Sequence, residues 1–261
     1  MSLLLACDWN RDALDFVEAE VAGGRVNVRR LGRVVWPEEL DRDGDAPAVG
    51  AWLKRALADA GVQAQETILV LPREDVVTRR LELPQAPDDE LPDLVRFQAA
   101  TRSATPLDQL VLDFVPLPVT EGGAIRPVLT ATIERTDLRH LQQICETAGL
   151  QLTSLQASPF NVAEVAVRYE RQHDEDPNAT TLVVYQVDTR VELSSLQRLG
   201  LAFTHQTRIN PRDERSLRAT LAEINRSVVT LGQMLHTTVT VERVCLMHDE
   251  HVDPGLQQAL S

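Results

Sequence analysis

The chain has 261 residues, 43% hydrophobic and 25% charged, with only 4% aromatics, so Leu, Val and Ala carry the packing of one or two globular domains. Its formal net charge is −13, from 39 acidic and 26 basic residues, which argues against a nucleic-acid surface of clustered Lys and Arg. Cys7, Cys145 and Cys245 lie far apart without metal-ligand or CxxC spacing, and read as reduced, mostly buried thiols of an intracellular protein. No run approaches the ~18 apolar residues of a membrane span. Met1 to Cys7 is too short for a signal peptide, so membrane association is expected only through a partner.

Leu3 to Asp8 is a short apolar run of buried-strand type. Leu14 to Val21 alternates, Gly23-Gly24 supplies a tight turn, and Val26 to Trp36 alternates again, which predicts a meander. Asp45 can cap a helix with Pro47 near its start and Gly61 as its stop. Val49, Trp52, Leu53, Ala56, Leu57 and Ala60 make its buried stripe. Thr67 to Leu71 is a buried strand closed by Pro72, so the opening is βββαβ.

Val76 to Leu117 reads as strand, helix, strand, with a proline at each change of direction. Val77, Arg79, Leu81 and Leu83 share one strand face, and Pro84 ends the strand. Pro87, Asp88, Asp89 and Glu90 open a helix whose carboxylates meet the positive end of its dipole. Leu91, Leu94, Val95 and Gln98 form its inner stripe. Thr105-Pro106 turns the chain into Leu110, Leu112 and Phe114, which resume a period of two. Glu121-Gly122-Gly123 turns into a strand at Ile125 to Ile133. Thr136 caps a helix with stripe Leu138, Leu141, Ile144, Cys145 and Ala148, and Gly149 stops it. Leu150 to Ala157 is another strand, and Ser158-Pro159 starts a helix with Val162, Val165 and Ala166 inward.

His173 to Asn178 is polar, charged and contains Pro177, as a linker does. Leu182 to Val187 then reads as a strand, Val191 to Leu196 and Leu201 to Ile209 as a hairpin. Asn210-Pro211-Arg212-Asp213 opens a helix to about His236 with stripe Leu217, Leu221, Ile224, Val228, Leu231 and Leu235. Val239 to Met247 is a last strand, and Pro254-Gly255-Leu256 starts a short helix. A βββα unit thus occurs twice, near Leu3 and near Leu182. The expected limits are a first lobe over 1–75 and 158–172, an inserted α/β subdomain over 76–157, and a reduced second lobe over 179–261.

Two βββα lobes with a small α/β module inserted in the first resemble the actin-like (ribonuclease H-like) ATPase fold. Within it the chain resembles PilM, the cytoplasmic component of type IV pilus assembly, with GspL of type II secretion and the cell-division protein FtsA as more distant relatives. Cys7-Asp8-Trp9-Asn10-Arg11-Asp12-Ala13-Leu14 stands at the family's first phosphate loop, and Leu182 to Val187 at the second. Leu81-Glu82-Leu83-Pro84 followed by Asp89-Glu90-Leu91 is similar to the strand-to-helix join of the inserted subdomain. Leu246 to Leu256 resembles the strand and helix around the adenosine pocket.

The resemblance implies Asp8, Asn10, Arg11, Tyr185, Val187 and His248 as vestigial nucleotide contacts. Glycines let such hairpin turns bring backbone N–H groups close to phosphates. Here Asn10 replaces the first glycine, Arg11 and Asp12 replace small hydroxyl residues, Asp-Ile-Gly reads Tyr185-Gln186-Val187, and Gly-Gly reads His248-Asp249. ATP-binding relatives also carry a further subdomain before the Arg212 to His236 helix, and they continue past Pro254-Gly255-Leu256. The chain is therefore expected to be either a reduced form or a fragment of a longer protein.

Individual residues have rival readings. Asp8 is either a retained metal-facing carboxylate or an acidic residue at a sheet edge, the second being favoured because a lone carboxylate holds Mg–nucleotide poorly. Asp188 reads as a solvated turn. His248, Asp249, Glu250, His251 and Asp253 are the densest ligand cluster, but no third ligand has matching spacing, so no metal is expected. Arg79, Arg80 and Arg96 lie on or beside the module; any one of them reads first as an ordinary surface charge, while as a set they would steer a partner segment or anionic lipid head groups.

These readings converge on a non-enzymatic actin-fold scaffold of a pilus or type II secretion-like machine, without a cofactor, on the cytoplasmic face of the inner membrane. By resemblance, its partner is the cytoplasmic tail of a PilN-like membrane protein, lying in the groove between the first lobe and the module. The alternatives are a divergent ATPase using ATP and Mg, and a GspL-like subunit that docks a secretion ATPase.

Overall fold

The structure is a computed structural model that describes residues 2–118, 124–173, 175, 176, 178–198, 200–210, 215–235, 238–248 and 256. Its contacts divide the chain into two units. The first comprises Met1–Val76, Ala104–Leu112 and Thr132–Ser158; the second comprises Val77–Ser103, Asp113–Ala131 and Pro159–Ser261.

In the first unit, β1 (Ser2–Trp9), β2 (Ala13–Ala22) and β3 (Arg25–Val35) form the expected meander. Gly23 and Gly24 take φ of +57° and +76° in its turn, a region that costs a side-chain-bearing residue energy. β4 (Glu66–Leu71) joins β1 in parallel and β8 (Gln151–Ala157) joins β4 in parallel, giving the order β3-β2-β1-β4-β8. Register places Trp9 opposite Leu14 and Cys7 opposite Phe16, so the buried side chains of both strands share one face. Burial also raises the Cys7 thiol and pushes Cys145 up to about 12, consistent with structural rather than reactive sulfur.

Helix α1 (Ala46–Asp59) starts as predicted: the Asp45 carboxylate accepts from the Ala48 amide at 3.0 Å, with Pro47 in the first turn. Helix α3 (Arg135–Ala148) ends at Gly149, whose φ is +79°. Gly50 permits close packing of α1 on α3, since a Cβ there would stand 2.6 Å from the Ile144 carbonyl oxygen. Thr136 is not the cap of α3; that position falls on Glu134, and the Thr136 hydroxyl lies 3.2 Å from the Glu134 carboxylate within the first turn.

The second unit holds β9 (Thr181–Val187), β10 (Arg190–Gln197), β11 (Gly200–Arg208) and β12 (Arg243–His248) in the order β11-β10-β9-β12. Pairing repeats that of the first unit, with two antiparallel steps and then a parallel one. Helix α4 (Ser158–Gln172) covers one face, its Val162, Ala166 and Val167 packing with Val183, Leu196 and Leu201. Helix α5 (Ser216–Leu235) covers the other, where Ile224 joins Leu182, Val184, Leu193 and Leu256.

Three expectations about this unit change. Val165, expected inward on α4, is 57% exposed. Of the expected α5 stripe, Ile224 and Leu231 are buried and Leu217 and Leu221 pack partly buried against the core, while Ser216, Thr220 and Ser227 join the buried face unexpectedly. Thr220 can enter it because its hydroxyl donates to the Ser216 carbonyl at 3.0 Å. The His173 to Asn178 linker is also tied down where it is described: Arg243 pairs with Glu175 at 3.0 Å and donates to the Asp176 carbonyl at 2.9 Å.

The module forms a three-stranded sheet, β5 (Val77–Pro84), β7 (Ile125–Glu134) and β6 (Leu110–Pro116), in the order β5-β7-β6. Helix α2 (Leu91–Arg102) packs on β5, with Leu91 and Val95 buried and Pro92 in its first turn. Leu81 and Leu83 are buried, whereas Val77 and Arg79 on the same face are exposed. By pairing, α3 and β8 join the first sheet and its helix layer, although the sequence limits of the module run to Ala157.

Candidate functional site

The turn after β1 holds Asp8, Asn10 and Arg11. Asp8 lies on the central strand β1, not at a sheet edge as the sequence reading had it. Asn10 is buried, and its amide donates to the Asp8 carboxylate at 3.2 Å and to the Asp15 carboxylate at 3.1 Å. The Trp36 indole donates to the Asn10 carbonyl at 2.9 Å, and Trp36 packs between Trp9 and Trp52 at centroid distances of 5.0 and 4.8 Å. The Asn10 amide is therefore held between two carboxylates. A phosphate there would face two carboxylates, where an anion site needs free backbone N–H groups. Arg11 is exposed.

Tyr185, Val187 and His248 come together at one end of the second sheet, since Gln186 registers with His248 and Tyr185 with Met247. Asp249 and the rest of the HDEHVD cluster lie outside the described residues. Val187 registers with Arg190, leaving a two-residue turn of Asp188 and Thr189, with Asp188 at φ 51°. Arg190 is 4% exposed and Glu192 1%. Their side chains pair at 3.4 Å, and the Arg190 guanidinium sits 5.3 Å from the Tyr185 ring centroid. Arg190 and Glu192 are thus paired with each other on one strand of this hairpin.

On the module, Arg79 and Arg80 line a cleft of about 480 Å³ with Leu81, Glu82, Arg102 and Met234. Arg96 is exposed and is not among its lining residues. Arg79 donates to the Arg102 carbonyl, which fixes its direction. Arg80 differs: its Nε is buried without a hydrogen-bond partner among the described residues. Burial pulls its guanidinium below the usual value, with Glu82 opposing. A half-desolvated cation in a cleft is poised for a carboxylate or carbonyl. Sequence reasoning found Arg79 and Arg80 but missed Arg102 and Met234, because no local pattern brings α5 to this strand.

The repeated sheet order, each βββ meander followed by a helix and a parallel strand, with a module inserted after the first, defines the actin-like ATPase fold. The model for the type IV pilus assembly protein PilM matches residues 7–204, and the chain belongs to that family. Among solved structures, a PilM-PilN type IV pilus biogenesis complex superposes with a TM-score of 0.78 at 19% identity, over 98% of this chain and 84% of that one. A Bacteroides thetaiotaomicron protein with actin-like ATPase fold and unknown function gives 0.57 at 9% identity, over 99% and 87%. The cytoplasmic domain of EpsL, an inner membrane component of the Vibrio cholerae type II secretion system, gives 0.49 at 11% identity over 79% and 71%, too remote to carry an argument. No curated protein sequence matches the chain. No helix among the described residues is long and apolar enough to cross a membrane.

Proposed function

We propose that this PilM-family chain is a non-enzymatic scaffold of a pilus or type II secretion-like machine. It would hold the cytoplasmic tail of a PilN-like inner-membrane protein, and through it sit at the cytoplasmic face of that membrane. The observation that carries this reading is Arg80, a partly desolvated cation in a cleft on the inserted module, whose buried Nε has no hydrogen-bond partner among the described residues. The turns at Asn10 and Asp188 support it from the other side, because the first holds two carboxylates at an inherited phosphate position and the second has only two residues. An extended tail contacting a strand or groove gains main-chain hydrogen bonds, and side-chain pockets add specificity. Arg79 in the cleft and the exposed Arg96 on α2 contribute steering.

The test is calorimetric titration of the PilN-like tail peptide into the chain. Wild type should bind, Arg80→Ala should bind about tenfold more weakly or worse, the scale of one charge-assisted contact, and Arg96→Ala should change affinity less. Unchanged affinity in an Arg79→Ala/Arg80→Ala variant removes the cleft from the site, and a tail that does not bind wild type overturns the reading.

A further inference from the structure

One end of the module is basic and apolar in a chain of net charge −13. Phe97, on the outer face of α2, is 66% exposed, and Val77, at the start of β5, is 53% exposed. Arg96 and Arg102 are exposed on the same helix, and Arg79 follows Val77 on the same face of β5. Arg79 donates to the Arg102 carbonyl, which draws the strand start and the helix end into one surface. We infer that this surface rests directly on a bilayer containing anionic phospholipids, with Phe97 inserted among the head groups and the arginines on their phosphates. The inference goes beyond the tail-docking role and does not need it.

Charge supplies the first argument. On other surfaces, Arg29, Arg33, Arg168 and Arg226 each pair with a carboxylate. Arg79, Arg96 and Arg102 form no ion pair among the described residues, so their charge is left for an external anion. The acids of this region belong to opposite ends of the same elements. Asp89, Glu90 and Asp93 lie at the start of α2, and Glu82 lies near the end of β5. Helix α2 has 12 residues, a length of about 18 Å at 1.5 Å per residue. Its ends are thus separated by more than a Debye length of about 8–10 Å. With the basic end at the bilayer, salt screens the acidic end and the acidic surface beyond it.

Shape says which anionic partner. Phe97 is not among the residues lining the Arg79–Arg80 cleft. Its exposed neighbours one turn away on α2 are Asp93, Ala100 and Thr101, which build no apolar pocket around it. A peptide docks its side chains into pockets. A bilayer needs none, because the head-group region accepts a protruding aromatic ring. The arginine stems lie along the apolar surface while their guanidinium groups reach the phosphates.

The experiment is co-sedimentation of the full chain with vesicles in the absence of any tail peptide. Vesicles of phosphatidylcholine alone are set beside vesicles that also contain phosphatidylglycerol. The chain is expected to sediment with the anionic vesicles and not with the neutral ones, and to be released as salt rises. Arg96→Ala/Arg102→Ala and Phe97→Ser should each bind about tenfold more weakly or worse, with circular dichroism unchanged. No sedimentation with anionic vesicles, equal sedimentation with both kinds, or a Phe97→Ser variant that sediments like the wild type overturns the inference. Complete release by hexaglutamate at a charge concentration below that of the lipid also overturns it, and marks a site for an acidic protein segment. Failure of the tail-docking reading looks different: the tail peptide would not bind while anionic vesicles still sediment the chain.

Discussion

Glu192→Ala is expected to lower the stability of the chain by about 3–5 kcal/mol, the cost of leaving one half of a buried ion pair alone. Arg190 and Glu192 share one face of β10, are almost fully buried, and pair at 3.4 Å beneath the Tyr185 ring. Removing Glu192 takes its paired carboxylate away from a guanidinium that is almost fully buried. Urea unfolding followed by far-ultraviolet circular dichroism measures the loss. The paired replacement Arg190→Met/Glu192→Leu should recover most of it, because no unpaired charge then remains. A loss below about 1 kcal/mol, the range of an exposed pair, would mean that water reaches the hairpin. The functional consequence is that this end of the sheet is organised around its own charges.

The second large effect is expected at Glu18. This carboxylate is 3% exposed, and one oxygen accepts from the backbone amides of Gln63 at 2.6 Å and Ala64 at 2.8 Å. Its other oxygen is 3.9 Å from Arg30. It thus fastens the loop between α1 and β4 to β2. Glu18→Ala leaves both amides without their acceptor, at about 1–3 kcal/mol for each group that stays buried. Glu18→Gln keeps an acceptor and should recover much of the loss. Thermal unfolding reports the total, and hydrogen exchange at the Gln63 and Ala64 amides locates it. If the alanine and glutamine variants unfold together, the two amides find other partners and the assignment fails.

Neither of these residues stood out in the sequence, and the reason is physical. Glu18 follows Leu14 and Phe16 at a period of two, so the pattern places it inward without naming an acceptor's task. Its donors lie beyond a whole helix. Glu192 reads as a polar interruption of an apolar strand, because neither its burial nor its pairing with Arg190 on the same strand shows in the local pattern. What was legible were the local devices: the Asp45 cap, the Gly23-Gly24 turn, the Gly149 stop, and the repeated strand order. These depend on neighbours a few residues away.

The same distinction separates the two halves of the candidate site. The loss of glycine at Asn10 and Val187 is visible in the sequence, but the side-chain contacts at the turns are not. They depend on Asp15 and Trp36 reaching Asn10, and on the burial of Arg190. On the module, the sequence supplies Arg80 but not its burial, and the cleft needs Met234 from α5. The α5 stripe was incomplete for a related reason: Thr220 hides its hydroxyl against the helix backbone and so can occupy a buried face beside Ile224.

The central claim is that the chain works as a docking scaffold and not as an ATPase. Isothermal titration of Mg–ATP into the purified chain tests it most directly. The account predicts no saturable heat, because two carboxylates meet at the Asn10 turn and a two-residue turn replaces the second phosphate loop. Stoichiometric binding in the micromolar range would contradict it and return the function to the nucleotide cleft.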